Sequence, residues 1–351
     1  MYAFALNLHR RLAPSGNLVW SPYSVASALG RAASGARGRT YDELVGALGA
    51  APGRLGIAEA AALDGAEIAV ANTLWLREGL PIEEAYQRAF PAFPGAAVHT
   101  ADFAAAPERA RQAINAEVAK STRELIGELL PAGAVDPHTN AVIVNALYLK
   151  AAWQRAFAKR DTMPILFYGP GGRRPVPMMR STGRLSYAAE GGWRLVTLAA
   201  GGGVVADILL GEGEEGGAGD APSPELLRRL YDTARPVKVA LSVPRFRVES
   251  SASLAVPLAA IGVTTAFTDD ADFSGITPEP LRIDRIEHKA VLDMDEDGFE
   301  GAAATAALMV PAGMDVSTPV EFRVDRPFLM IVRHPATEAV YFLAQMTDPL
   351  A

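Results

Sequence analysis

Apolar positions along the chain change their period about a third of the way in. Spacing of three to four predicts helices over residues 2–12, 24–33, 40–48, 81–89 and 107–126, the last stopped by Pro131 and Gly133. Beyond them AVIVNALYLKAAW (141–153) is a near-continuous apolar run with β-branched residues, the pattern of a strand buried on both faces. Four later stretches alternate apolar and polar residues as half-buried strands do: VKVALSVPRFRVE (237–249), LRIDRIEHKAVLDMD (281–295), VEFRVDRPFLMIVRH (320–334) and AVYFLAQM (339–346). One stretch fits neither period. DEDGFEGAAATAALMVPAGMDVSTP (295–319) opens on acidic residues and a glycine, then runs through residues with almost no side chain. Propensity alone makes it a surface alanine helix headed by its carboxylates.

At 351 residues, 50% apolar and 21% charged, the chain has the make-up of a folded globule, one large domain or two modest ones. A net charge of -7 with no basic stripe speaks against a nucleic-acid partner. The absence of cysteine removes disulfides, thiol catalysis and thiolate metal sites together. No window of 18 uninterrupted apolar residues occurs, so no membrane span is expected, and the first residues lack the pattern of a secretory signal.

Several patterns imitate chemistry. GEGEEG (211–216) follows the apolar strand VVADILL and matches a dinucleotide fingerprint in form, but its glutamates would stand where a pyrophosphate must bind, and Gly, Asp and Pro follow instead of a helix. It reads as a solvated loop. His9, His99, His138, His288 and His334 show no metal-ligand spacing, and there is no GxSxG elbow. Paired carboxylates such as Asp269 and Asp270, or Asp293 and Asp295, sit in turn or strand-edge contexts that favour solvated charge. Nothing argues for an enzyme, and no cofactor or metal is implied.

NLVWSPYSVASAL (17–29), NAEVAKSTRELIGELLP (115–131), TNAVIVNALYLKAAWQRAF (139–157), VPMM (176–179), VPRF (243–246), ADFSGI (271–276), HKAVLDMDEDG (288–298) and DRPFLMIVRH (325–334) come in the order and spacing of the serpin family. The resemblance covers essentially the whole chain. It implies an α+β fold in one domain over 1–351, with three β-sheets including a large central one, eight or nine helices, and an exposed reactive-centre loop over about 296–319.

In inhibitory members a serine protease cleaves that loop and is trapped as a covalent acyl-enzyme while the loop enters the central sheet as a new strand. The small residues then have a reason, because bulk at the leading end of an inserting strand raises the barrier to opening a packed sheet.

The resemblance places a hinge at Glu296, Gly298, Phe299, Gly301, Ala302, Ala303, Ala304 and Thr305, and the reactive bond at Ala312 to Gly313, with Met309 and Met314 as alternatives. Alanine there suits elastase-like or subtilisin-like proteases and methionine a chymotrypsin-like one. Ser21, Ser24, Asn145 and His288 match the family's shutter, a buried polar cluster beneath the point where the sheet opens, and Trp153 its breach tryptophan. The expected form is a monomer of bacterial type. No heparin-type activator is expected, since residues 48–71 lack a basic cluster.

Some positions depart from the family pattern. Phe299 replaces the usual small residue or Thr and should point inward, which either slows insertion or holds the loop. It is the main argument for the alternative, a non-inhibitory member acting as substrate, carrier or chaperone. TRELI (122–126) replaces TxGKI, Ala151 a Gly, and AQM (344–346) the common GxV; tolerance is expected for these.

Overall fold

The structure, a computed structural model, describes residues 1–12, 15–51, 65–89, 96–212, 221–299 and 317–350. The first part of the chain forms α1 (Tyr2–Leu12), β1 (Leu18–Trp20), α2 (Pro22–Gly35), α3 (Gly38–Leu48), β2 (Glu67–Arg77), α4 (Glu84–Ala89), β3 (Ala96–Ala101) and α5 (Pro107–Ser121). Strands then dominate: β4 (Ala141–Ala152), β5 (Met163–Gly169), β6 (Gly172–Glu190), β7 (Trp193–Ala199) and β8 (Val205–Gly211). After α6 (Pro224–Thr233) come β9 (Arg235–Pro244), β10 (Phe246–Ser253), α7 (Ala255–Ala259), β11 (Arg285–Met294), β12 (Gly298–Phe299), β13 (Val320–Arg323), β14 (Phe328–His334) and β15 (Ala339–Met346).

Two hydrogen-bonded networks hold these strands. A six-stranded sheet has the order β10-β11-β12-β4-β2-β3. A nine-stranded network runs β1-β15-β14-β8-β7-β6-β9-β13, with β5 also paired to β6. The 19-residue β6 pairs with β9 over Met178 to Tyr187 and with β7 over Ser186 to Glu190, so two of the three expected sheets run into each other through this one strand. Its Pro175 and Pro177 lie before the β9 pairing begins, where the ladder is complete on one side only and a missing N–H is tolerated.

The run at 141–153 becomes β4 and is buried on both faces, as its composition predicts. Val142, Val144 and Ala146 pack under α5 with Ile114 and Val118. Leu147, Leu149 and Ala151 face a second cluster that lies between the two networks and includes Ile208, Leu241 and Phe322. A third cluster joins α1, α2 and α3 to the sheets through Leu8, Leu29 and Leu44.

Besides shifts of two to four residues at the starts of other elements, three predicted elements end early or divide. The helix expected over 107–126 stops at Ser121, because Thr122 turns its hydroxyl back to the Val118 carbonyl at 2.8 Å and Arg123 and Glu124 take left-handed φ of 53° and 64°. Glu124 stands where the family pattern has glycine, so the side chain adopts the backbone that glycine would have supplied without strain. The stretch 237–249 splits at Arg245, where the chain passes from the nine-stranded network to the six-stranded sheet. The stretch 320–334 divides around Pro327 into an edge strand on β9 and a central strand between β8 and β15.

Candidate functional site

The six-stranded sheet is unevenly closed at its centre. β4 and β11 pair directly and in parallel from Val142 with Arg285 to Leu147 with Ala290. Higher up they part, and β12 stands between them: Gly298 pairs with Ala152, and Phe299 with Ala151 on one side and Met294 on the other, antiparallel to both. A cavity of about 20 Å³ remains below β12, lined by Leu147, Tyr148, Val291 and Leu292 and roofed by Thr122, Leu125 and Ile126.

Beneath the closed part lies a polar chain. Ser21 caps α2, its hydroxyl accepting from the Ser24 amide at 3.1 Å, with Pro22 fixing the first helical turn. The same Ser21 donates its own N–H to His288 Nε2 at 3.0 Å. With Nε2 an acceptor, the proton sits on Nδ1, which donates to Asn145 Oδ1; the Asn145 amide donates to Asn72 Oδ1, which also accepts from Ser24 Oγ at 3.0 Å. The register places Asn72, Asn145 and His288 side by side across three strands, so the chain spans the β4–β11 junction. Asn72, which the sequence did not single out, closes the chain back onto Ser24, and its Nδ2 has no partner among the described residues.

Burial pushes the His288 imidazole down to about 3, against the weaker opposing effect of its bond with Asn145. His9, buried under Trp20 whose indole N–H it accepts, is likewise pushed down by burial to about 4. The unfolded chain therefore takes up a proton on each below pH 6.5 that the folded chain refuses, and stability falls with falling pH from 6.5 until the folded values are reached. At pH 5 the two histidines together are expected to cost about 4 kcal/mol relative to neutral pH. Urea unfolding at pH 5 with a proton-uptake measurement should register close to two protons from them, and uptake near zero would contradict these assignments.

Above the gap, the chain reverses between β11 and β12. Asp295 Oδ1 accepts the N–H of Asp297 at 2.8 Å and of Gly298 at 3.1 Å. Trp153 clasps the turn twice, its backbone N–H to Asp297 O at 3.0 Å and its indole N–H to Asp295 O at 2.9 Å, while Phe157 N–H bonds Glu296 O at 2.9 Å. The Glu296 side chain is buried, accepts from Thr162 Oγ1 at 2.6 Å and lies 3.8 Å from Arg245. Lys159 pairs with Asp297 at 2.8 Å. The Phe299 ring is fully buried and rests on Trp153, with centroids 4.7 Å apart.

Gly298 has φ 153°, and a Cβ there would stand 2.3 Å from Ala151 O and 2.8 Å from Ala152 Cα. Gly298→Ala should therefore force β12 out of the sheet at a cost of about 2 kcal/mol. Hydrogen exchange would show it as roughly a thirtyfold loss of protection at the Phe299 amide.

Of the residues assigned from the sequence, Ser21, Ser24, Asn145 and His288 are joined in one bonded cluster, while Trp153 stacks on Phe299 and holds the turn that carries Glu296 and Gly298 through Asp295 and Asp297. Gly301, Ala302, Ala303, Ala304, Thr305, Met309, Ala312, Gly313 and Met314 lie outside the described residues, as do residues 213–216 of GEGEEG. Thr162, Lys159 and Arg245, which reach the 295–298 turn from distant parts of the chain, were not singled out from the sequence. His99 stacks on Trp75, His138 sits in an Asp136 turn and His334 contacts Thr337. Asp269 pairs with Arg282 and Asp293 with Arg247. Among the described residues no helix is long and apolar enough to cross a membrane.

The family model for serpins (serine protease inhibitors) matches residues 1–349. The chain is 33% identical to Iripin-2 of Ixodes ricinus, covering 98% of this chain and 91% of that protein. It is also 33% identical to serine protease inhibitor A3N of Rattus norvegicus, over 99% and 87%. The crystal structure of uncleaved ovalbumin superposes with a TM-score of 0.87 at 26% identity, over 99% of this chain and 98% of that one. The chain belongs to the serpin family, whose members are generally protease inhibitors.

Proposed function

We propose that this serpin is a suicide-substrate inhibitor of serine proteases, acting as a monomer without cofactor. The target's serine attacks the carbonyl of the reactive residue, Ala312 or a neighbouring Met309 or Met314. The peptide bond breaks, the new amino terminus leaves, and an ester joins the loop to the enzyme. The freed strand then enters between β4 and β11, carrying the ester with it before water can hydrolyse it.

The observation that carries this reading is β12. Two hinge residues already occupy the gap between β4 and β11 in the direction a continuing strand would take. Residues 298–312 in extended form span about 50 Å, against a radius of gyration of about 20 Å for a chain of this size, so a protease borne by the strand would cross the molecule. Phe299, the sequence argument for a non-inhibitory member, loses much of its weight: its ring is already inside the sheet before any cleavage, so its bulk is not a barrier still to be met.

The test is incubation with elastase, chymotrypsin and subtilisin, followed by a denaturing gel and the mass of the released C-terminal peptide. A boiling-resistant complex is expected, with a peptide beginning at Gly313 if the reactive residue is Ala312. Cleavage without complex would overturn the inhibitory reading and leave the chain a substrate.

A further inference from the structure

Alternation along β5 breaks the rule for a strand with one solvated face. Its inward residues, Ile165 and Phe167, join Val176 in the core between the two networks, so Pro164, Leu166 and Tyr168 stand outward, where polar side chains are the rule. Leu166 is 41% and Tyr168 52% exposed, and Met163 at the start of the strand 45%. Across from the outward three, on β6, stand Pro177, Pro175 and Arg173. No Asp or Glu occurs from Met163 to Pro177. Cations border the face instead. Arg173 and Arg180 are exposed and form no ion pair among the described residues, Arg180 donating to the Met163 sulfur at 3.3 Å. Arg160 is exposed too, 3.9 Å from Asp161. The nearby carboxylates are engaged, Asp348 by Arg174, Asp325 by Arg326 and Glu296 by Thr162.

The edge and the charge of this face constrain what covers it. Tyr168 gives its N–H to Asp325 O at 2.7 Å, and Pro164 has none to give. At most the Leu166 N–H is left along that edge, so a further strand gains no ladder there. A second copy docked through the same face would set arginines against arginines. The occupant has to be apolar in depth and negative at its rim, and an anionic lipid surface is both.

We infer that the outer face of the β5–β6 hairpin docks on anionic lipid, Met163, Leu166 and Tyr168 entering the headgroup layer while Arg160, Arg173 and Arg180 meet its phosphates. Tyrosine suits that boundary, with an apolar ring for the lipid and a hydroxyl for water. Each cation brought to such a surface strengthens binding about fivefold. The net charge of -7 opposes approach only weakly at about 0.1 M salt, where charges more than about 10 Å from the lipid are screened. Docking of this kind goes beyond the inhibitory reading and does not depend on it.

The test is sedimentation of the intact protein, in about 0.1 M salt, with vesicles of equal parts phosphatidylglycerol and phosphatidylcholine and with phosphatidylcholine alone. Binding to the anionic vesicles should be stronger by about tenfold or more. Leu166→Glu with Tyr168→Glu should lower it about tenfold and Arg173→Gln about fivefold, with unchanged urea midpoints. Val256→Glu, at a residue 80% exposed on α7, should leave it unaltered. In Leu166→Trp, lipid brominated along its chains should quench fluorescence beyond the wild-type level, an answer that stands even should the Glu variants fail to fold. Equal binding to both vesicles, or anionic binding that the hairpin substitutions leave unchanged, would overturn the inference. Absence of binding to either would overturn it too, and would point to an acidic protein groove as the occupant. Neither cleavage nor trapping is read, so failure here leaves the inhibitory reading untouched.

Discussion

On the proposed mechanism, Phe299→Glu should abolish covalent trapping while leaving cleavage intact, with the boiling-resistant complex reduced at least tenfold. The ring's site is enclosed by Trp153 and by the backbone of Ala151 and Met294, with no solvent exposure. A carboxylate there is either charged in an apolar site or protonated at the expense of its pKa, and each costs several kcal/mol. Asp295, Glu296 and Asp297 in the adjoining turn add like-charge repulsion. β12 would leave the sheet, and a cleaved loop would stall at its first inward position long enough for the ester to hydrolyse. Phe299→Ala separates charge from size: it forfeits the ring contacts that anchor the hinge but leaves nothing to exclude the strand, so trapping should persist. Trapping by the Glu variant at the wild-type level would remove β12 from the mechanism.

His288→Ala is expected to lower the unfolding free energy by about 3 kcal/mol or more in urea titration at neutral pH. The imidazole accepts from Ser21 N–H and donates to Asn145 Oδ1, and both partners are buried. Each buried polar group left without a bond costs about 1–3 kcal/mol, and the vacated ring adds a cavity. The damage should be local first. Since Asn145 pairs with His288 in the parallel ladder, hydrogen exchange should quicken along residues 143–147 before the rest of the sheet. His288→Gln, which offers one donor and one acceptor, should recover part of the loss, whereas uniform exchange in both variants would mean that the ring only fills space.

How much of this was legible in the sequence depends on whether a feature is local. The two-faced burial of β4 is written in consecutive residues and appears as expected, whereas α2 starts at Pro22 under the Ser21 cap, two residues before the helix predicted over 24–33. Asn72 was not legible, because a lone asparagine in AVANTLWLR carries no signal until the antiparallel register sets it opposite Asn145. Arg245 and Thr162 are 83 residues apart in sequence, counting 245 less 162, and meet only because both flank the buried Glu296. The premature end of α5 was hidden because Pro131 and Gly133 look like the stop signal, while the actual stop is a threonine hydroxyl turned back on its own helix. Phe299 shows the limit most clearly: its inward side was implied by its place in the family pattern, but whether it obstructs or anchors depends on a partner, Trp153, far away in the chain.

The reversal at Asp295 to Gly298 also gives the molecule an arrow. Because the turn points β12 antiparallel to both neighbours, a strand growing from it dissolves the parallel seam between β4 and β11 one rung at a time and lays down two antiparallel seams in its place. Antiparallel pairing is slightly the more stable per residue, and the number of seams doubles, so on the proposed mechanism each rung gained makes the backward step less favourable. Travel along this path is that of a ratchet, and a molecule that has run it once has no stored drive left for a second stroke.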